Sequence, residues 1–208
     1  MSGDAGTQFF WLASRSVGVV AIVLVSLSVC LGLALAARVG RGPGVAIRVK
    51  TMHEALALAG LGAIVLHGAL LLGDPYTRPG LSQIAIPFTF HPNPLWTGLG
   101  VIAGWLAALI TASFYARRWI GAKNWRKLHR LTFAVYALGV GHAIGAGSDI
   151  GSPWMIATLA AAAAPPALLG VIRLQRLAER RAPAQGARAA RPERPIAAAP
   201  AAERLSAG

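Results

Sequence analysis

Of 208 residues only Cys30 is a cysteine, and it lies inside an apolar run. That count excludes a disulfide framework, a CxxC zinc site and an iron–sulfur cluster held by thiolates. Charge is scarce as well: Asp, Glu, Lys and Arg make up 13% of the chain, against about 25% in an ordinary soluble domain. With 55% hydrophobic residues and a mean hydropathy of +0.56, a water-soluble enzyme is the wrong starting point. Acidic residues are the rarest charges, 7 against 20 Lys+Arg, for a net charge of +13. A nucleic-acid partner calls for a basic face on a folded polar domain. Here the cations flank apolar runs, so nucleic acid is not an expected partner. No G-x-G-x-x-G follows a strand pattern, which removes the dinucleotide fingerprint.

What the chain does have is length in its apolar runs. A bilayer core takes about 20 mostly apolar residues as a helix, and five stretches qualify: Val17–Ala37, Met52–Leu72, Leu95–Ala116, Leu128–Gly147 and Pro153–Ile172. The expected fold is an all-α integral membrane protein, a five-helix transmembrane bundle over 17–172. An outer segment, 1–16, precedes it, and a basic tail, 173–208, follows. The tail is rich in Ala, Pro and Arg and poor in residues that form a core, so it reads as disordered, drawn to anionic lipid headgroups. Short cytoplasmic loops collect Lys and Arg, and 18 of the 20 fall after the first span, around the third connection or beyond Ile172; only Arg15 and Arg78 fall on the other side. The N-terminus is therefore expected outside and the C-terminus in the cytoplasm, in a multi-pass cell-membrane protein. Trp11, Trp96 and Trp154 fall at the outer edges and Trp119 and Trp125 at the inner one, the headgroup layer that amphipathic rings prefer. Ala34-Leu35-Ala36 resembles a signal-peptide cleavage site, but no basic cluster precedes that run and it is longer than a usual signal core.

Four of the five histidines lie in two of these spans. His53 and His67 are 14 residues apart in the second, and His129 and His142 are 13 apart in the fourth. At 1.5 Å per residue each pair is separated by about 20 Å along its helix. Ionisable residues inside a membrane are costly and commonly functional, and histidine is a haem ligand whose neutral ring tolerates burial. Both helices run outward, so depth matches His53 with His129 at the cytoplasmic end and His67 with His142 toward the outside. Two haems, each held by two imidazoles, are the expected cofactors, with no open coordination position at either iron. Zinc is disfavoured, because a structural zinc needs four ligands around one point. The helical face agrees for 14 steps and misses by about 140° for 13. A bulge or bend among Gly139, Gly141, Gly145 and Gly147 is the expected remedy. Those glycines, with Gly60, Gly62 and Gly68, either clear space for a flat macrocycle or let helices pack closely.

This arrangement resembles the transmembrane domain of the ferric reductase and NADPH oxidase superfamily. The likeness rests on His53/His67, His129/His142 and the segment Asn124-Trp125-Arg126-Lys127-Leu128-His129-Arg130-Leu131-Thr132, and spans about 45–172. It implies two b-type haems carrying electrons from a cytoplasmic donor to an outer acceptor. Members of that superfamily commonly continue into FAD and NADPH domains. No FAD or NADPH site is expected in this chain, which implies a separate cytoplasmic flavoprotein reductase or quinol as donor. The Trp-Arg-Lys-Leu-His segment is also similar to the haem-binding membrane subunit of the periplasmic methionine sulfoxide reductase system, which serves a separate periplasmic acceptor protein. His53 at the inner end favours the two-haem form.

Arg126 and Arg130 are candidates to pair with haem propionates, although positive-inside topology explains them equally well. Glu54 either accepts a hydrogen bond from the His53 ring N–H or favours a helix N-terminus. The longest outer connection, Gly73–Pro94, contains an apolar stretch at Leu81–Phe90 and a solvated His91, and it is placed to select the acceptor. The rival to an electron carrier is a non-haem membrane scaffold or transporter that uses its histidines for protons.

Overall fold

In the computed structural model, residues 4–37, 42, 44–91 and 93–189 are described, and their regular structure is entirely helical. The elements are α1 (Asp4–Ala36), α2 (Val45–Leu71), α3 (Leu81–Ala85), α4 (Pro94–Tyr115), α5 (Arg117–Ile120), α6 (Ala122–His129), α7 (Thr132–Ala146) and α8 (Pro153–Ala189). Among the described residues, four helical stretches are long and apolar enough to cross a membrane: Gln8–Ala36, Val45–Leu71, Pro94–Tyr115 and Pro153–Arg176. Their outward faces carry bare hydrocarbon, with Val65 64% exposed, Leu109 62% and Leu168 62%. Such surface is stable against acyl chains and would associate in water.

The stretch expected as a fourth span, Leu128–Gly147, is two helices. α6 stops at His129, and α7 resumes at Thr132 with 15 residues, a rise of about 22 Å against the roughly 30 Å of a hydrocarbon core. Between them the backbone tightens into i→i+3 bonds, Arg130 N–H to Lys127 O at 3.2 Å, Leu131 N–H to Leu128 O at 2.9 Å and Phe133 N–H to Arg130 O at 3.2 Å. The Thr132 hydroxyl donates to the His129 carbonyl and competes for an acceptor of the helical ladder, a known way for threonine to bend a helix. No glycine or proline marks the spot.

The chain divides after Gly170. In the first unit α1 lies along α2 and α4 along α7, while α2–α4 and α1–α7 contacts close the centre. Polar side chains tie the elements where apolar packing alone gives little preference in lipid. The Tyr136 hydroxyl donates to the Ala162 carbonyl at 2.7 Å and lies 3.2 Å from the Ser26 hydroxyl. Arg15 pairs with Asp149 and sits 4.7 Å over the Trp11 ring. In the second unit the helix continues to Ala189, past the Ile172 boundary expected from composition. Residues 173–182, Arg-Leu-Gln-Arg-Leu-Ala-Glu-Arg-Arg-Ala, are strong helix formers, unlike the Pro-rich stretch that follows them. The remainder of the expected disordered tail, 190–208, lies outside the described residues.

The connection after α2 is fastened by Asp74, 1% exposed. Its carboxylate accepts from the Tyr76 and Thr77 backbone N–H groups at 3.2 Å each and from the Thr77 hydroxyl at 2.6 Å. α3 is capped by Gln83 and receives the Trp105 indole N–H at the Ala85 carbonyl, 2.8 Å. Phe88 takes a left-handed φ of 67° and fills the space over Gly98. A side chain rarely adopts that backbone without compensation, and an aromatic ring seated where a Cβ on Gly98 would stand supplies it. His91 is exposed beyond the span ends.

Candidate functional site

Helix α2 carries His53 and His67 near its two ends, and the α6–α7 segment carries His129 and His142. The fold brings them together in two pairs. The ring centroids of His53 and His129 are 6.0 Å apart with an interplanar angle of 86°. Those of His67 and His142 are 6.1 Å apart at 70°. The tight turn at Arg130–Leu131 explains how α6–α7 presents both rings. Three residues wound at 3.0 rather than 3.6 per turn add about 60° of rotation, which recovers nearly half of the mismatch of a straight helix. The bend thus lies beside His129, and the expected bulge among the glycines around His142 is absent, α7 being continuous through Ala146.

Three of the four rings are oriented by main-chain carbonyls. His53 Nδ1 lies 2.8 Å from the Ser28 carbonyl, His67 Nδ1 2.7 Å from the Ser14 carbonyl and His142 Nδ1 2.9 Å from the Trp96 carbonyl. A carbonyl only accepts, so the proton belongs on Nδ1 and Nε2 is left with a free lone pair. Metal-bound histidines are held in this way. Ser14 and Ser28 complete a reciprocal contact, their hydroxyls donating to the His67 and His53 carbonyls at 2.9 and 3.2 Å. Glu54 plays no part in this; it faces Lys50 at 3.6 Å. His129 has no ring hydrogen bond among the described residues. It stacks on Trp125, centroids 5.1 Å apart at 26°.

Ser14, Ser28, Gly18, Gly32 and Gly100 were not singled out from the sequence. A signal was there: Ser-x-x-x-Gly occurs on α1 at 14–18 and 28–32, a 14-residue repeat equal to the His53–His67 spacing. Of the glycines that were named, Gly60 packs against Leu24 and Val25 of α1, Gly68 faces Ile84, Gly145 faces Trp96, and Gly62 meets nothing within 4 Å. Arg126 and Arg130 are exposed, on opposite sides of His129 in sequence.

The chemistry open to these pairs follows from their spacing. Two imidazoles that share one metal through bonds of about 2 Å have ring centres about 6 Å apart, as both pairs do. Among the described residues no group of three or more His, Cys, Asp or Glu side chains forms a metal cluster, so a metal here would take the rest of its ligands from elsewhere, as a porphyrin provides. A cavity of about 740 Å³ includes His67 and His142 in its wall, together with apolar residues of α1, α2, α4, α7 and α8; ligand cavities commonly run about 300–1,000 Å³. At the other pair, the buried Trp125 Nε1 has no hydrogen-bond partner among the described residues, as a donor awaiting an anionic acceptor would be. The residues fit two axially ligated haems. No protein-family model matches the chain, and no solved structure matches it.

Proposed function

We propose that this chain is a membrane b-type cytochrome that carries electrons between the two faces of the membrane. Its haems would be held by His53 with His129 and by His67 with His142. The reading rests on one observation above the others: four imidazoles meet as two pairs, one toward each end of α2, each at the spacing of two rings that would share a metal. A bis-imidazole haem moves single electrons between ferric and ferrous states and offers no position for oxygen or a substrate. The chain's own residues bind and orient it. The Ser14, Ser28 and Trp96 carbonyls set the tautomers, mostly apolar side chains line the cavity at the His67–His142 pair, and Trp125 supports His129.

Charge supports the direction. Arg117, Arg118, Lys123, Arg126, Lys127 and Arg130 cluster near the His53–His129 end, and no acidic residue occurs between Asp74 and Asp149. By the positive-inside tendency this end is cytoplasmic, the chain makes five passes, with α6–α7 as the short one, and the N-terminus is outside. A cationic rim there suits an anionic flavoprotein donor and leaves Arg126 and Arg130 available to propionates. The connection carrying α3 lies at the opposite end, where an outer acceptor is met.

The test is a visible spectrum and haem count of the purified full-length chain. It should show reducible b-type bands and about two haems per chain, reduced by dithionite or an added flavoprotein reductase and left oxidised by NADPH alone. His67→Ala and His142→Ala should each remove the same haem, and His53→Ala and His129→Ala the other. Double variants within a pair should look little worse than singles, since both remove one site. A colourless preparation from haem-sufficient cells would mean the histidines serve protons or packing instead.

A further inference from the structure

We propose that Gly18, Gly32 and Gly100 are positioning residues for the axial imidazoles, each the floor of a notch whose rim is the carbonyl four residues earlier. The inference rests on the haem reading above. In an α-helix the carbonyl of residue i points toward the N–H of residue i+4. A ring that donates to that carbonyl from outside the helix must pass over the Cα of residue i+4, where any Cβ stands in its way. The same construction occurs three times. The Ser14 carbonyl receives His67, and a Cβ on Gly18 would lie 3.0 Å from His67 Nδ1. The Ser28 carbonyl receives His53, and a Cβ on Gly32 would lie 3.2 Å from His53 Cε1. The Trp96 carbonyl receives His142, and a Cβ on Gly100 would lie 2.6 Å from its Nδ1.

Such notches do more than make room. They hold the proton on Nδ1, fix the ring's rotation, and through the hydrogen bond strengthen Nε2 as a donor to ferric iron. A stronger donor favours the ferric state and lowers the midpoint potential. The notches are divided between the sites: two serve the His67–His142 pair and one serves His53–His129. Each alanine substitution therefore has an address.

The experiment is potentiometric titration with electron paramagnetic resonance of the ferric, haem-loaded full-length protein. Gly18→Ala and Gly100→Ala should raise the midpoint and alter the g values of the component missing from His142→Ala, leaving the other component in place. Gly32→Ala should act on that other component. Gly170→Ala, on α8 and away from all four histidines in sequence, adds a methyl group where nothing lies within 4 Å and should change neither. Where alanine empties a site outright, Ser14→Ala and Ser28→Ala, which add no bulk, should give smaller shifts at the His67 and His53 sites respectively. Unchanged midpoints and g values with both haems bound would overturn the proposal, and so would equal effects from Gly170→Ala or shifts at the wrong site. A wild-type chain that binds no haem fails earlier and separably, taking the underlying reading with it.

Discussion

His129 is held differently from the other three histidines. Its ring has no carbonyl partner among the described residues and depends on the Trp125 face, which lies 5.1 Å away and nearly parallel. Removing that face leaves the ring free to turn about its side-chain bonds, and ordering it again costs about 1 kcal/mol of rotamer freedom. Trp125→Ala should therefore lower haem content at the His53–His129 site, while Trp125→Phe, which keeps a stacking surface, should retain most of it; haem per protein and the residual spectrum measure this. Equal loss in both variants would place the indole N–H, rather than the ring face, at the centre of the site. At this scale the histidines were legible because rise per residue is arithmetic: His53 with His129 and His67 with His142 follow from depth alone. Ser14 and Ser28 were not, since serine is ordinary in a membrane helix and its meaning appears only when the 14-residue interval is compared with that of α2.

Among the elements, the helices α1, α2 and α4 followed from unbroken apolar length, and the interruption in α6–α7 did not. It arises from a threonine hydroxyl taking a carbonyl, which no glycine or proline announces. The connection after α2 shows a similar economy, a single carboxylate replacing regular structure. Burial would raise the Asp74 carboxyl, but the Thr77 hydroxyl and the Tyr76 and Thr77 N–H groups outweigh it and hold it below the ordinary carboxylate range. A carboxyl lowered in the folded state contributes stability above its unfolded value, and that contribution is lost as pH falls through its folded value. Thermal stability should accordingly decline on acidification below the usual carboxylate range, and less steeply in Asp74→Asn. At neutral pH Asp74→Ala should cost about 1–3 kcal/mol, the worth of hydrogen bonds to a charged group, read as a lower unfolding temperature of the detergent-solubilised protein.

For the molecule as a whole, the division of 18 basic residues from 2 predicts the orientation. A reporter active only in the cytoplasm should work when fused after Arg181 or near Gly121 and fail near Ser82; activity near Ser82 would invert the arrangement and the proposed direction of electron flow. The apolar spans also explain why so much surface is uncovered: helices facing lipid on one side have few residues to bury, and α2 buries only Gly60. The antiparallel pairing of α1 with α2 carries a further consequence. Ser14 meets His67 and Ser28 meets His53, so every step forward along one helix is matched by an equal step back along the other. The two helices work as a pair of rulers graduated alike, with alignment marks at both ends. Sliding them by a turn spoils both marks at once, and inserting one residue between Gly18 and Ser28 turns one mark by about 100° while the other stays true. The interval between the two histidine pairs is thus written twice, in separate stretches of chain, and neither copy can drift without the other exposing the error.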